Sequence, residues 1–229
     1  MSRLHVDWLL TAERAAVHQP SATAVIADVH LGYHTARARS GEAIPSANWH
    51  EALAPLAALV KYHAVRRLVV AGDLFEAGWD ADLLQAFAAG VQRLGLVLAG
   101  VVPGNHDRLP KDAGSSILIH PQGVRLGRWQ VVHGDCPLPA GPSVLGHFHP
   151  CVRWPAGPAA SCFLVSGQRI VLPAFSGDAA GVNILGNPAW ATYECHVIAG
   201  RKVLNFGLVG RLPHGKSKIQ SRKTKVKLV

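Results

Sequence analysis

The chain has 229 residues, 49% apolar and 16% charged, which is material for one large core and excludes global disorder. No apolar run approaches the roughly 18–20 residues that cross a bilayer. The first twenty residues lack a signal peptide's continuous apolar stretch and cleavage site, so a cytoplasmic protein without a membrane partner is expected. Cys136, Cys151, Cys162 and Cys195 show no paired spacing and read as free thiols in a reducing compartment. The net charge of +9 is uneven: six Lys or Arg and no acid fall in the last fifteen residues, which leaves +3 for the rest. A main domain over 1–210 and a basic, flexible tail over 211–229 are therefore expected, the tail suited to polyanions or simply to solubility.

In chain order, "TAVIAD" (23–28) is short, apolar and ends in Asp, as a buried strand does. "SANWHEALAPLAALVKYH" (46–63) has helical apolar spacing, with Pro55 expected to kink or break it. "RRLVVAGD" (66–73) is a second strand. "DADLLQAFAAGVQRLG" (80–95) is a helix capped by Asp80 and stopped at Gly95. "LGLVLAGVVPG" (94–104) is a third strand, so the first half predicts a βαβαβ unit on a mostly parallel sheet. Beyond residue 115, "RWQVVHGD", "SVLGHFH", "CFLVSGQRIVLPAF" and "YECHVIAGRKVLNFG" read as strands of a second, mixed or antiparallel sheet. The last two form hairpins turning at Ser166-Gly167 and Ala199-Gly200.

Five of these strands end in polar clusters: Asp28-Val29-His30, Gly72-Asp73, Gly104-Asn105-His106-Asp107, His133-Gly134-Asp135 and Gly146-His147-Phe148-His149. Ligands of open α/β sheets bind beyond the carboxyl ends of the strands, so the clusters predict one shared crevice. Unpaired carboxylates and imidazoles at the edge of an apolar core are costly, and divalent cations would offset that cost. Asp, His and Asn together suit Mn, Fe or Zn better than Ca. Strand alternation would put Asp28 and His30 on one face, and likewise His147 and His149.

The order Asp-x-His, Gly-Asp, Gly-Asn-His-Asp, His-Gly, Gly-His-x-His resembles the calcineurin-like metallophosphoesterase superfamily over residues 28–149. The resemblance implies an α/β fold, a four-layer αββα sandwich with a dinuclear metal site at the C-terminal strand ends. It implies one metal on Asp28, His30 and His149 with Asp73 bridging, and a second on Asp73, Asn105, His133 and His147. His106 would be the catalytic histidine. The metals would be two divalent ions, Mn foremost and Fe, Zn or Mg as alternatives. The flanks "LLTAERAA", "ADVHLGYHTARARSGEAIP" and "VLPAFSGDAAGVNIL" are similar to the bacterial ligase-associated DNA-repair phosphoesterases. That similarity implies hydrolysis of phosphodiesters including single-stranded DNA, by an endonuclease of DNA repair, with a DNA ligase or helicase as partner. Asp135 and the basic tail depart from the pattern.

Two metals that acidify water leave only the leaving oxygen to be protonated, a task that suits His106 beside Asn105. Either Asp107 or Glu76 would orient His106. Arg37 and Arg39 in the loop after Gly32, with Arg108 and Lys111, are candidate phosphate contacts, and Tyr33 and His34 offer a stacking face for a base. The alternatives are a phosphatase or phosphodiesterase acting on a small nucleotide or phosphomonoester, and a binding protein with a degenerate metal site.

Overall fold

A computed structural model of the chain describes residues 6–44, 53–110, 118–155 and 157–213. The 46–52 part of the expected first helix, Lys111 and the tail beyond residue 213 lie outside them. The first sheet has strands β1 (Trp8–Leu10), β2 (Ala16–His18), β3 (Thr23–Ile26), β4 (Arg67–Ala71) and β5 (Val97–Val102), side by side in that order. β3, β4 and β5 run parallel, joined through helices α1 (Tyr33–Arg39), α2 (Ala54–His63) and α3 (Ala81–Arg93), which is the expected βαβαβ unit. β1 and β2 add an antiparallel hairpin whose three-residue strands are too short to show a period.

Local chemistry sets the helix ends. Pro55 lies in the first turn of α2, where its missing N–H leaves nothing unpaired. Asp80 caps α3 by accepting a hydrogen bond from Leu83 N at 2.8 Å. Gly32 at φ 82° opens α1, so the expected loop carrying Arg37 and Arg39 is helical.

The second sheet contains β6 (Val124–Leu126), β7 (Trp129–Val132), β8 (Ser143–Leu145), β9 (Pro150–Val152), β10 (Ala160–Val165), β11 (Arg169–Val171), β12 (Val182–Asn183), β13 (Glu194–Ala199) and β14 (Lys202–Leu208). It is mixed: β7, β8 and β11 are parallel neighbours, whereas β10–β11 and β13–β14 are the two expected hairpins.

Alternation along the strands builds the layers. Ala24, Ile26, Leu68 and Val70 face the helices with Leu56, Leu59, Leu84 and Phe87. Val25, Val69 and Ala71 face the second sheet's Trp129, Val131, Val144, Phe163 and Ile170. Each fully buried side chain of this size contributes about 1.5–3 kcal/mol. The outer face of the second sheet buries Leu145, Cys162, Leu164, Val171, Cys195 and Val197. It is covered by the 183–193 segment and by Val209 and Leu212 around two 3-10 turns. The sandwich therefore has helices on one outer side and, among the described residues, 3-10 turns and loop on the other. Leu212 is buried in this outer core. The four cysteines are free thiols, three of them buried. No described helix is long and apolar enough to cross a membrane.

Candidate metal centre

Asp28 and His30 follow β3, Asp73 follows β4, Asn105 and His106 follow β5, His133 follows β7, and His147 and His149 follow β8. The two sheets pack with these ends together, so clusters far apart in sequence meet. Strand alternation is not how they converge. Asp28 (φ 56°), His30 (φ 52°), Asp73 (φ 47°), His147 (φ 70°) and His149 (φ 44°) all adopt left-handed backbone just past their strands. Such conformations cost about 1–3 kcal/mol each for non-glycine residues and persist only where surroundings enforce them.

A hydrogen-bond mesh does the enforcing. Asp28 N donates to Gly72 O and His30 N to Asp73 O, both at 3.0 Å, and Ser176 N donates to Asp28 O at 3.1 Å. The Asp28 carboxylate accepts His147 N at 3.1 Å, and Asp73 Oδ1 accepts His106 N at 2.8 Å. Close approach also requires Gly104, because a Cβ there would run into the Asp73 carboxylate.

Among the described residues, three groups present ligand atoms within 4.8 Å of one another: Asp28, His30 and His149; Asp73, His133 and His147; and His30, Glu76 and His106. His149 Nε2 lies 3.3 Å from Asp28 Oδ1. His133 Nε2 lies 3.3 Å from Asp73 Oδ2, 3.2 Å from Asn105 Oδ1 and 3.2 Å from His147 Nδ1. Asn105 thus joins the second group, and Asp73 also belongs to it by distance, while its charge opposes the effect of burial on His30 in the first. All seven residues expected to hold metal are brought together.

The residues fit divalent cations. His30 Nδ1 bonds Glu76 Oε2 at 2.7 Å, and its Nε2 is buried with no hydrogen-bond partner. Burial depresses the pKa of His30, favouring the neutral imidazole that a metal takes. His133 Nδ1 donates to Ala71 O at 3.1 Å, which points Nε2 at Asp73 and Asn105. Without a cation, burial pulls His133 down, but the hydrogen bond and charge of Asp73, with Asp28's charge, push it up to about 9. A proton there does the neutralising work that a metal would do.

His106 stands at the mouth with 41% of its side chain exposed, its ring centroid 5.1 Å from that of His30. Its Nδ1 meets the backbone carbonyl of Glu76 at 3.0 Å, whereas the Glu76 carboxylate is 3.9 Å away and engaged with His30. Of the two acids expected to orient His106, Glu76 is the one that meets its Nδ1, through the main-chain carbonyl at 3.0 Å with the carboxylate farther off. Asp107 turns away, buried, and accepts Phe75 N at 2.9 Å and Gly104 N at 2.7 Å. Burial raises its pKa to about 6 against those two hydrogen bonds. Its work is to tie the Asn105–His106 turn to the segment after β4.

The expected phosphate contacts fare unevenly. Arg37 pairs with Glu42 at 3.0 Å and lies over the Tyr33 ring, so it is already engaged within its own segment. Arg39 lines a pocket next to His30. Arg108 is exposed at φ 39°, beside Gly78.

One supporting residue went unassigned at the level of sequence. Arg14 Nη1 donates to the carbonyls of Ala174 (3.4 Å), Phe175 (3.3 Å) and Ser176 (2.7 Å), the turn whose Ser176 N holds Asp28 O. The only signal was the Glu-Arg pair of the N-terminal flank, which carries no chemistry by itself.

Three comparisons with known proteins bear on this geometry. A model of the calcineurin-like phosphoesterase family matches residues 22–150, more than half of the chain. The fold is similar to that of a Pseudomonas putida nuclease, MPE, with a TM-score of 0.66 and 23% sequence identity over 86% of this chain and 94% of that one. A search of curated proteins finds no match.

Proposed function

The chain belongs to the calcineurin-like phosphoesterase family, and from that membership we infer a dinuclear, metal-dependent phosphodiesterase that cuts single-stranded DNA internally. The observation that carries the reading is the pair of ligand groups on five strand ends with His106 standing over their open mouth. The nuclease named among its structural neighbours supports the choice of nucleic acid as substrate. A role in DNA repair beside a ligase or helicase rests on the flanking segments alone.

Asp28, His30 and His149 would hold one cation, and Asp73, Asn105, His133 and His147 the other, with Mn the leading candidate. Two divalent cations supply Lewis-acid polarisation of the phosphoryl group and a nucleophile from water at neutral pH. The rest falls to the protein. The Glu76 carbonyl accepts the Nδ1–H of His106, which leaves Nε2 as the nitrogen that, in the imidazolium form, carries a second proton and gives it to the departing 3′ or 5′ oxygen. Such an acid is worth about 10²–10⁴ in rate. Asp107 keeps that histidine and Asn105 in register with Asp73.

The test is Mn-supplemented hydrolysis of bis-nitrophenyl phosphate beside nitrophenyl phosphate, followed by nicking of circular single-stranded DNA, which offers no ends. Diester preference with linearised circles is expected. Monoester preference with intact circles would overturn the reading in favour of a phosphatase for small nucleotides.

A further inference from the structure

Beside the metal centre, and sharing His30 with it, is a pocket of about 620 Å³ that the hydrolytic chemistry does not use. Tyr33 and His34 line it from the first turn of α1, Trp79 from the loop between β4 and α3, and Phe75 and Phe175 complete the aromatic lining. Two of these rings are braced. The Arg37 guanidinium lies 5.7 Å from the centroid of Tyr33, and Trp79 packs edge-on to Phe75 at 5.6 Å. The size falls within the roughly 300–1,000 Å³ of small-ligand sites.

The polar groups of the pocket say what kind of ligand it takes. Two acids, Asp80 and Asp178, line it together with one arginine, Arg39, so its charges do not add up to a second phosphate site. Both acids are already engaged, Asp80 as the cap of α3 and Asp178 with His34 Nε2 at 3.0 Å. What remains is an aromatic enclosure with hydrogen-bonding groups at its edge, adjoining a site for a phosphoryl group. A neutral, flat heterocycle one sugar away from a phosphate has that shape and polarity.

We propose that this pocket takes one unpaired nucleobase flanking the scissile phosphodiester. The proposal rests on the nucleic-acid reading above. It makes single-strand selectivity a property of the pocket, because a base stacked and paired in a duplex must first be extruded to enter.

The experiment is an abasic scan. A short single-stranded oligonucleotide with one defined cleavage site is made with a single abasic residue at each position in turn. Each version is cut, with Mn, by wild type, Trp79→Ala, Trp79→Phe and Tyr33→Ala. Stacking of one base on an aromatic ring is roughly a 5- to 150-fold effect. Removing the base at one position beside the cut is expected to lower wild-type kcat/KM by about 10-fold. Trp79→Ala should cause a similar loss on the intact oligonucleotide and little further loss on that abasic one, with Trp79→Phe restoring most of the rate. Tyr33→Ala, on a half-exposed helix, gives the same reading should Trp79→Ala fold poorly. Losses that multiply for both variants, or an abasic residue without effect at every position, would overturn the pocket alone. Failure of wild type to cut any oligonucleotide while it hydrolyses bis-nitrophenyl phosphate would overturn the nucleic-acid reading and the pocket with it.

Discussion

Glu76 meets two histidines with two different groups, its carboxylate on His30 Nδ1 at 2.7 Å and its backbone carbonyl on His106 Nδ1 at 3.0 Å. Glu76→Ala removes the first contact and keeps the second. A hydrogen bond to a charged partner in a partly buried setting contributes about 1.5–3 kcal/mol, a factor of about 10–150 in an equilibrium constant. Outer partners of metal-binding histidines contribute about 10- to 100-fold in metal affinity, which agrees with that range. The variant should therefore need about 10- to 100-fold more Mn for half-maximal hydrolysis of bis-nitrophenyl phosphate. At saturating Mn its kcat should fall by no more than about threefold, since the proton-bearing geometry of His106 survives. The assay is a Mn titration of activity beside calorimetric Mn binding. Unchanged Mn affinity would refute the claim that the carboxylate organises His30. A collapse of kcat at saturating Mn would show that the carboxylate, at 3.9 Å, serves His106 after all.

Other perturbations separate the remaining roles. His106→Ala should keep its metal content but lose about 10²–10⁴ in turnover on substrates with poor leaving groups, and far less on nitrophenyl esters; equal losses on both would remove the acid role. Arg14→Ala should lower Tm by about 4–10 °C, from the loss of a charged donor shared by three carbonyls, with Arg14→Lys recovering only part in thermal melts. Mn at about 100 times its Kd should raise Tm by roughly 5–10 °C, and chelation should reverse it. Because burial of His133 is outweighed by Asp73, the metal-free imidazole stays protonated up to about 9. Metal loading at pH 7 must then release a proton, so Mn affinity should rise from pH 7 towards pH 9 and level off above, as calorimetry in buffers of different ionisation enthalpy can show. Deleting residues 215–229, which hold six Lys or Arg, should weaken single-stranded DNA binding evenly over sequences and flatten the salt slope by about 0.7 for each phosphate the tail had neutralised; an unchanged slope would make the tail a bystander.

The ligand residues were legible because chemistry and position coincide in the chain. Asp28, Asp73, Asn105, His133 and His147 each come within three residues of the end of an apolar strand, and a parallel sheet gathers such ends by topology alone. The helix caps at Asp80 and the start of the βαβαβ unit are equally local, so short-range pattern suffices for them. The way the ligands turn inward was not legible. Alternation was the available rule for Asp28 with His30 and for His147 with His149, yet left-handed backbone sets both pairs, held by bonds to Gly72, Asp73 and neighbouring strands.

Partnership also belongs to the tertiary structure. Asp107 adjoins His106 in sequence and Glu76 precedes it by 30 residues, and only packing decides between them. Burial sends Asp107 to two backbone N–H groups, and the bend after Asp73 brings the Glu76 carboxylate to His30 and its carbonyl to His106. Arg14 reaches the 174–176 turn across some 160 residues, and Trp79 meets Tyr33 in one pocket from a separate loop. The amino-acid order determined which groups lie at the strand ends, because strand periodicity and ligand chemistry are local. Which of those groups touch, and through which atom, was decided only when two sheets packed face to face, because that packing alone sets the distances.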